Sequence, residues 1–167
     1  MLVGNDKQTW QAVALNFGTE MAGAVVTYVL LQRVIGGRAR KEDLIAQMGS
    51  DVRDVAVQAA NELRRHGWLT DGSLRGVQLI GANLQRADLG GAKLQGAKLQ
   101  AAKLQGTNLW SANLQGANLW CAKLQGANLQ AANLQGAILW GAEVTSEQLT
   151  EAASLEGAIM RDGTVHE

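Results

Sequence analysis

A mainly β solenoid is the fold this sequence predicts: square coils stacked about four high, preceded by helices and closed by a short C-terminal one. Three observations predict it. Leucine recurs every five residues without a slip from Leu74 to Leu139, and Val144 keeps the step once more. Two residues before these positions stands a small residue, nearly always alanine, as at Ala82, Ala87, Ala92 and Ala97. The residue between is nearly always polar, as at Asn83, Asp88, Lys93 and Lys98, and in nearly every repeat a glycine or another small residue follows the leucine by two.

A period of five suits neither ordinary element. On an α-helix five residues advance about 500°, a net drift of roughly 140°, so the leucines make no stripe. In a flat strand an odd spacing sends alternate leucines to opposite faces. A chain that turns a corner once per repeat keeps them together. Four corners close a square, which stacks Leu84, Leu104 and Leu124 one above another. The alanine shares the interior with the leucine by two-residue alternation, and the polar residue points out. Glycine suits the corner because it accepts φ > 0 at no steric cost. Fourteen leucines and one valine make fifteen repeats. At four to a coil this is just under four coils, roughly 18 Å tall at the spacing of paired backbones. Such an array needs capped ends.

Ahead of the coils the text differs. Residues 1–38 form an N-terminal segment. From Ala12 to Leu31 one charge, Glu20, interrupts an apolar run. Twenty helical residues span about 30 Å, the thickness of a bilayer's hydrocarbon core. A single transmembrane helix is therefore expected at about 10–35. Trp10 stands at one edge, and Arg33, Arg38, Arg40 and Lys41 follow the other. The positive-inside rule then leaves the N-terminus outside and the repeats in the cytoplasm, on a cell membrane, inner or internal. Two other readings compete. A cleaved signal peptide finds a small-x-small site at Ala22-Gly23-Ala24 but a poor core before it. A buried helix of a soluble domain accommodates Asn16 and Glu20.

Within the span, Ala14, Gly18 and Ala22 form one row of small residues, and Thr19, Gly23 and Thr27 another. Such rows let helices approach closely. Gly18, Glu20, Ala22 and Gly23 are the expected intramembrane helix contact, with Glu20 hydrogen-bonding across it in protonated form. The alternative places Glu20 near enough the outer leaflet to reach water.

Residues 39–70 read as an amphipathic helical linker and N-cap. Leu44, Met48, Val52, Val55, Ala59 and Leu63 recur at helical spacing. Gly49-Ser50 splits the pattern, with Ser50 as the cap of the second half. Arg64, Arg65 and His66 complement the helix dipole, and Gly67 suits the position after the cap. Trp68 and Leu69 are placed to cover the first coil. The solenoid occupies 71–146. A cap and tail, 147–167, opens with a short helix from Thr145 or Ser146 to about Ser154, which would cover the last coil and hide its edge.

The repeat, small-polar-Leu-x-x, resembles that of the pentapeptide-repeat family over about residues 72 to 146. The resemblance implies a right-handed quadrilateral β-helix. The closing stretch "VTSEQLTEAASLEGAIMRDGTVHE" is similar to the C-terminal cap of bacterial members, which reads Met-Pro-Asp-Gly. Here Arg161 stands in the proline's place. The family implies little about function, since its members include membrane-tethered proteins and DNA mimics that protect topoisomerases.

Composition narrows the function. Lysine plus arginine equals aspartate plus glutamate, fifteen each, so no global field favours nucleic acid. The single cysteine, Cys121, excludes an internal disulfide. The two histidines, His66 and His166, and Cys121 have no metal-ligand spacing. No catalytic constellation, phosphate loop or cofactor motif is present, so no enzyme, cofactor or small-molecule substrate is expected. Between Leu74 and Val144 six cations (Arg75, Arg86, Lys93, Lys98, Lys103, Lys123) stand against Asp88 and Glu143, a net of plus four. That sign disfavours the alternative of a soluble DNA mimic acting on a topoisomerase.

What remains is a non-catalytic, membrane-anchored structural or interaction protein, an accessory or scaffold subunit of a larger membrane complex. Its expected partners are other membrane-protein subunits, and the β-helix is the binding platform. The coil period stacks Trp120 and Trp140 on one column and sets Trp110 half a coil away. Lys103 and Lys123 share another column, with Glu143 above. Exposed tryptophans are enriched at contact sites, so Trp110, Trp120, Trp140, Lys103 and Lys123 are the candidate interaction residues. The glutamines at 85, 105 and 125, and at 95, 115 and 135, are expected to form amide ladders.

Overall fold

The computed structural model describes residues 18–167, with all side chains from 27 onward except that of Arg33. The chain divides into two compact units, Met1–Arg40 and Lys41–Glu167. Helix α1 runs Gly18–Met48. In the first unit its Tyr28, Val29, Leu30, Leu31, Val34 and Ile35 are all exposed. Among the described residues no helix is long and apolar enough to cross a membrane. Glu20, Gln32 and Arg33 interrupt the apolar run, and charged residues crowd the helix from Arg38 onward. The transmembrane helix expected at about 10–35 is thus not supported, though its first part, 10–17, lies outside the described residues. Gly18, Glu20, Ala22 and Gly23 lie on the backbone of α1, and what they touch lies outside the described residues.

In the second unit, the end of α1 buries Leu44 and Met48. The helix stops at Gly49, where a β-carbon would lie 3.3 Å from the carbonyl oxygen of Gln78 and 3.2 Å from that of Ala46. A side chain here would crowd both carbonyls and push the chain away from the first coil by a few tenths of an ångström. Helix α2 follows at Arg53–Arg65 and buries Ala56, Ala59, Ala60 and Leu63. The expected break at Gly49-Ser50 is present, but Ser50 is not the cap. The N-cap is Val52, without a side-chain bond. Ser50 Oγ instead accepts from the Val52 N–H at 3.1 Å, and the Ser50 carbonyl accepts from Asn83 N at 2.8 Å. At the far end Gly67 has φ +73. Gly67 N donates to the Arg64 carbonyl and Trp68 N to the Leu63 carbonyl, both at 2.9 Å. This is a Schellman motif, and it turns the chain under the solenoid.

The coils then rise with parallel single-residue bridges between positions twenty apart, from Gln78↔Lys98 to Lys123↔Glu143. Each outward residue pairs in both directions: Lys103 N donates to the Ala82 carbonyl, and Leu84 N to the Lys103 carbonyl, both at 2.9 Å. At each corner the leucine carbonyl accepts from the N–H three residues on, as in Ala97 N to Leu94 O at 3.0 Å. The third residue of the corner has positive φ, the type II geometry. Glycine takes that position at most corners. Arg86, Ala101, Ser111, Cys121 and Ala131 take it with φ of 51 to 60°. Leucines and alanines fill the interior, where each buried leucine contributes about 2 kcal/mol. Thr107 replaces one alanine, and its buried hydroxyl donates to the Leu84 carbonyl at 2.7 Å.

The C-terminal end differs from expectation. Helix α3 is only Ser146–Thr150, capped by Thr145 and Gln148 in a reciprocal capping box. It does not run to Ser154 and does not lie over the last coil. It replaces one side of the fourth coil. Leu149 stands five residues after Val144 and is buried, and Gln148 Nε2 donates to the Leu124 and Ala127 carbonyls below. The coil then resumes with one added residue, so that Asn133 pairs with Ser154 and Ile138 with Ile159, twenty-one apart. "ASLEG" and "AIMRD" are two further repeats beyond residue 146. The chain turns back at Met160–Thr164, and Val165 bridges Ile159 antiparallel, which covers that part of the final edge. Arg161 donates to the Val144 carbonyl at 3.1 Å.

Candidate interaction surface

The square places outward residues in columns. One corner carries Ile80, Gln100, Trp120 and Trp140. Trp120 and Trp140 stack with ring centroids 6.3 Å apart and planes inclined 25°. The stack leaves Trp120 45% and Trp140 54% exposed, so it does not hide the indoles. Trp110 lies ten residues before Trp120, half a coil round, and is likewise exposed.

Local bonds fix these corners. Asn118 Oδ1 accepts from Trp120 N at 3.0 Å, and Asn108 Oδ1 accepts from Trp110 N at 3.1 Å. These Asx-type bonds hold the residue entering the corner. Ile138 stands where an asparagine would serve Trp140. There the returning tail is the neighbour: a β-carbon at Gly163 would lie 3.8 Å from Trp140 Cδ1 and Nε1. On the adjoining side Ile138 and Ile159 are partly exposed, and Val165 beside Ile159 is exposed. Two tryptophans, two isoleucines and a valine thus form one apolar patch at the C-terminal end of the solenoid. The tryptophans were legible from the twenty-residue period. Ile159 and Val165 were not, because the one-residue insertion at α3 hides their register.

The next side carries Asn83, Lys103, Lys123 and Glu143, bridged in that order. Lys123 Nζ stands 4.0 Å from Glu143, and Gln125 Nε2 also bonds the Glu143 carboxylate. The expected amide ladders form in part. Gln85 donates to Gln105 at 3.1 Å, and Gln115 to Gln135 and Gln135 to Glu156 at 3.0 Å. Gln95 Oε1 has no partner among the described residues.

The first coil has its own clasp. Arg64 donates from Nε to the Asp88 carbonyl at 3.2 Å, and from its terminal nitrogen to Asp88 Oδ1 at 2.7 Å and to the Gly90 carbonyl at 3.1 Å. It stands in the last turn of α2, where a cation complements the helix dipole, and also clasps the coil. His66 stacks on Trp68 at 4.4 Å, and Lys41 Nζ lies 5.1 Å over the Trp68 ring. Lys41 also bonds Asp71 at 2.8 Å and Ser73 at 3.0 Å. Burial raises the Asp71 pKa, but the bonds from Lys41 and Ser73 outweigh it and hold the carboxyl at about 2. Among the described residues no group of His, Cys, Asp and Glu is placed to hold a metal ion.

The pentapeptide-repeat family model matches residues 73–110, 92–130, 112–146 and 122–162. Together these span 73–162, more than half of the chain, and the chain belongs to the pentapeptide-repeat family. No curated protein matches it. Among solved structures it is similar to the pentapeptide-repeat protein Rfr23 of the cyanobacterium Cyanothece 51142, at 40% identity over 56% of this chain and 63% of that one, TM-score 0.30. A pentapeptide-repeat protein of the Arabidopsis thaliana thylakoid lumen shares 28% identity over 56% and 68%, TM-score 0.29. HetL of Nostoc sp. strain PCC 7120 shares 30% over 56% and 61%, TM-score 0.24. The chain thus spans under two thirds of Rfr23 and HetL. The repeat match, not superposition at such scores, carries the family.

Proposed function

We propose that this protein is a non-catalytic interaction protein, an accessory or scaffold subunit whose β-helix is a rigid platform for another chain. The single observation that carries this reading is the exposed Trp120–Trp140 stack set beside Ile138, Ile159 and Val165. Large aromatic side chains with an apolar surround are the composition of interface centres, not of free surfaces. The exposed apolar residues of α1 support attachment to a larger assembly, and a membrane complex remains its proposed setting.

The test is affinity capture of the full chain under gentle extraction. Replacing Trp120 and Trp140 together with glutamine, already present at position 100 of the same column, should abolish recovery of the co-purifying partner. Trp110→Gln, on the opposite side, should leave it intact, and thermal unfolding should hardly move in either variant because the Leu/Ala interior is untouched. Undiminished recovery by the double variant would overturn the assignment of this surface.

A further inference from the structure

The charges on the coils are not mutually satisfied. Of the two carboxylates between Leu74 and Val144, Asp88 is held by Arg64 from α2 and Glu143 by Lys123. Lys98 and Lys103 make no ion pair among the described residues. They occupy the same rung and flank Gln100 from its two sides, directly below Trp120. Above the exposed Ile80, the corner therefore passes from two uncompensated ammonium groups to an indole pair and an isoleucine.

We propose that this corner binds an extended protein segment in which carboxylates adjoin apolar or aromatic residues, the carboxylates on Lys98 and Lys103 and the apolar residues on Trp120, Trp140 and Ile159. The proposal rests on the platform reading above and names the chemistry of its partner. Charge complementarity selects the acidic end, because an ammonium group attracts a carboxylate and steers its approach. Geometry selects the length. From the rung of Lys98 to that of Ile159 are three steps of about 4.8 Å, roughly 14 Å, which four or five residues of extended chain cover. A nucleic acid fits less well. Its phosphates call for a long row of cations, whereas here the row gives way to indoles at the corner and, beside it, runs only from Lys103 to Lys123 before the carboxylate of Glu143.

The experiment is selection of a randomised hexapeptide display library on the immobilised full chain at low salt. Enriched peptides should carry at least two Asp or Glu next to aromatic or aliphatic residues. Their affinity should fall about tenfold or more in Lys98→Glu/Lys103→Glu and, separately, in Trp120→Gln/Trp140→Gln, while Trp110→Gln binds as the parent does. The lysine effect should shrink in 0.5 M salt, as a screened interaction must. Enrichment of purely apolar or basic peptides that still depend on the tryptophans would overturn the partner chemistry and spare the platform. Binding indifferent to the tryptophans would sink both. Duplex DNA displacing the peptides, or a dimer of the chain lost on tryptophan substitution, would reassign the corner to those occupants and overturn the proposal.

Discussion

At the scale of single residues, the corners and the clasp are where chemistry departs from the repeat. Five corners hold a side chain at positive φ, a conformation that costs an L-residue about 1–2 kcal/mol. Ala131→Gly relieves that cost and raises the entropy of the unfolded chain, so it should stabilise by about 0.5 kcal/mol. The reverse change, Gly136→Ala, meets no atom within 4 Å at φ +63, so its expected net cost of about 0.5 kcal/mol is conformational alone. Urea midpoints measured on both variants check the pair, and a Gly136→Ala variant as stable as the parent would contradict the corner geometry. Asp71 offers a second reading at this scale. Its folded pKa of about 2 lies below the ordinary aspartate value of 3.8. The carboxylate therefore contributes stability above pH 4, and that contribution is lost as pH falls through about 2. Asp71→Asn should remove this slope between pH 4 and 2 in thermal unfolding and leave the acid sensitivity of the rest of the chain unchanged.

At the scale of elements, both ends are held by side chains that donate to coil carbonyls: Arg53 and Arg64 below, Gln148 and Arg161 above. Arg64→Leu keeps the stem and removes three donations. Half-exposed bonds of this kind are worth little each, so the expected loss is about 1 kcal/mol. Thr145→Ala, which dismantles the capping box of α3, should cost a similar amount, about 1 kcal/mol. Chemical denaturation of the two single variants and their double checks both, and additivity is expected because they sit at opposite ends. These ends also mark how far the sequence can be read. Period five fixes the coil, and period twenty fixes which residues share a column, because each follows from repetition alone. The end of α1, helix α2 and the break between them were legible from apolar spacing and Gly49, but the unbroken run of α1 from Gly18 across the boundary expected at 38–39 was not. The role of Ser50 was not, because a serine near a helix start serves equally as cap or as coil partner. Nor was the length of α3. Leu149 keeps the five-residue step inside a helix, and one added residue then shifts "ASLEG" out of register. The polar residue before each corner reads as a solvated position, yet Asn118 and Asn108 also brace the backbone that aims Trp120 and Trp110.

At the scale of the whole molecule, the solenoid makes stability a sum over neighbouring coils, since each coil pairs only with those one step away. Its consequence is a strict rule of length. Deleting residues 97–116 removes twenty residues and joins Gly96 to Ala117, both in their proper places in the repeat. Gln78 then pairs with Asn118, Ile80 lies under Trp120, and the Arg64 clasp, the α3 side and the Trp120–Trp140 stack are untouched. The shortened chain should fold with a native-like circular dichroism spectrum. Its unfolding should stay cooperative, with a smaller dependence on urea because one coil's worth of surface is no longer buried. Deleting residues 97–114 removes only eighteen. It places Gln115 and Gly116 where the repeat needs a small inward residue and a polar outward one, and every leucine beyond faces the wrong carbonyl partner. That chain should fail to fold or should be recovered only as aggregate, although it retains more of the sequence. The comparison separates register from composition. If the two deletions are equally stable, pairing between coils does not govern the fold. If only the twenty-residue deletion folds, stability belongs to the stack, and the tryptophan corner is free to vary on a scaffold that does not depend on it.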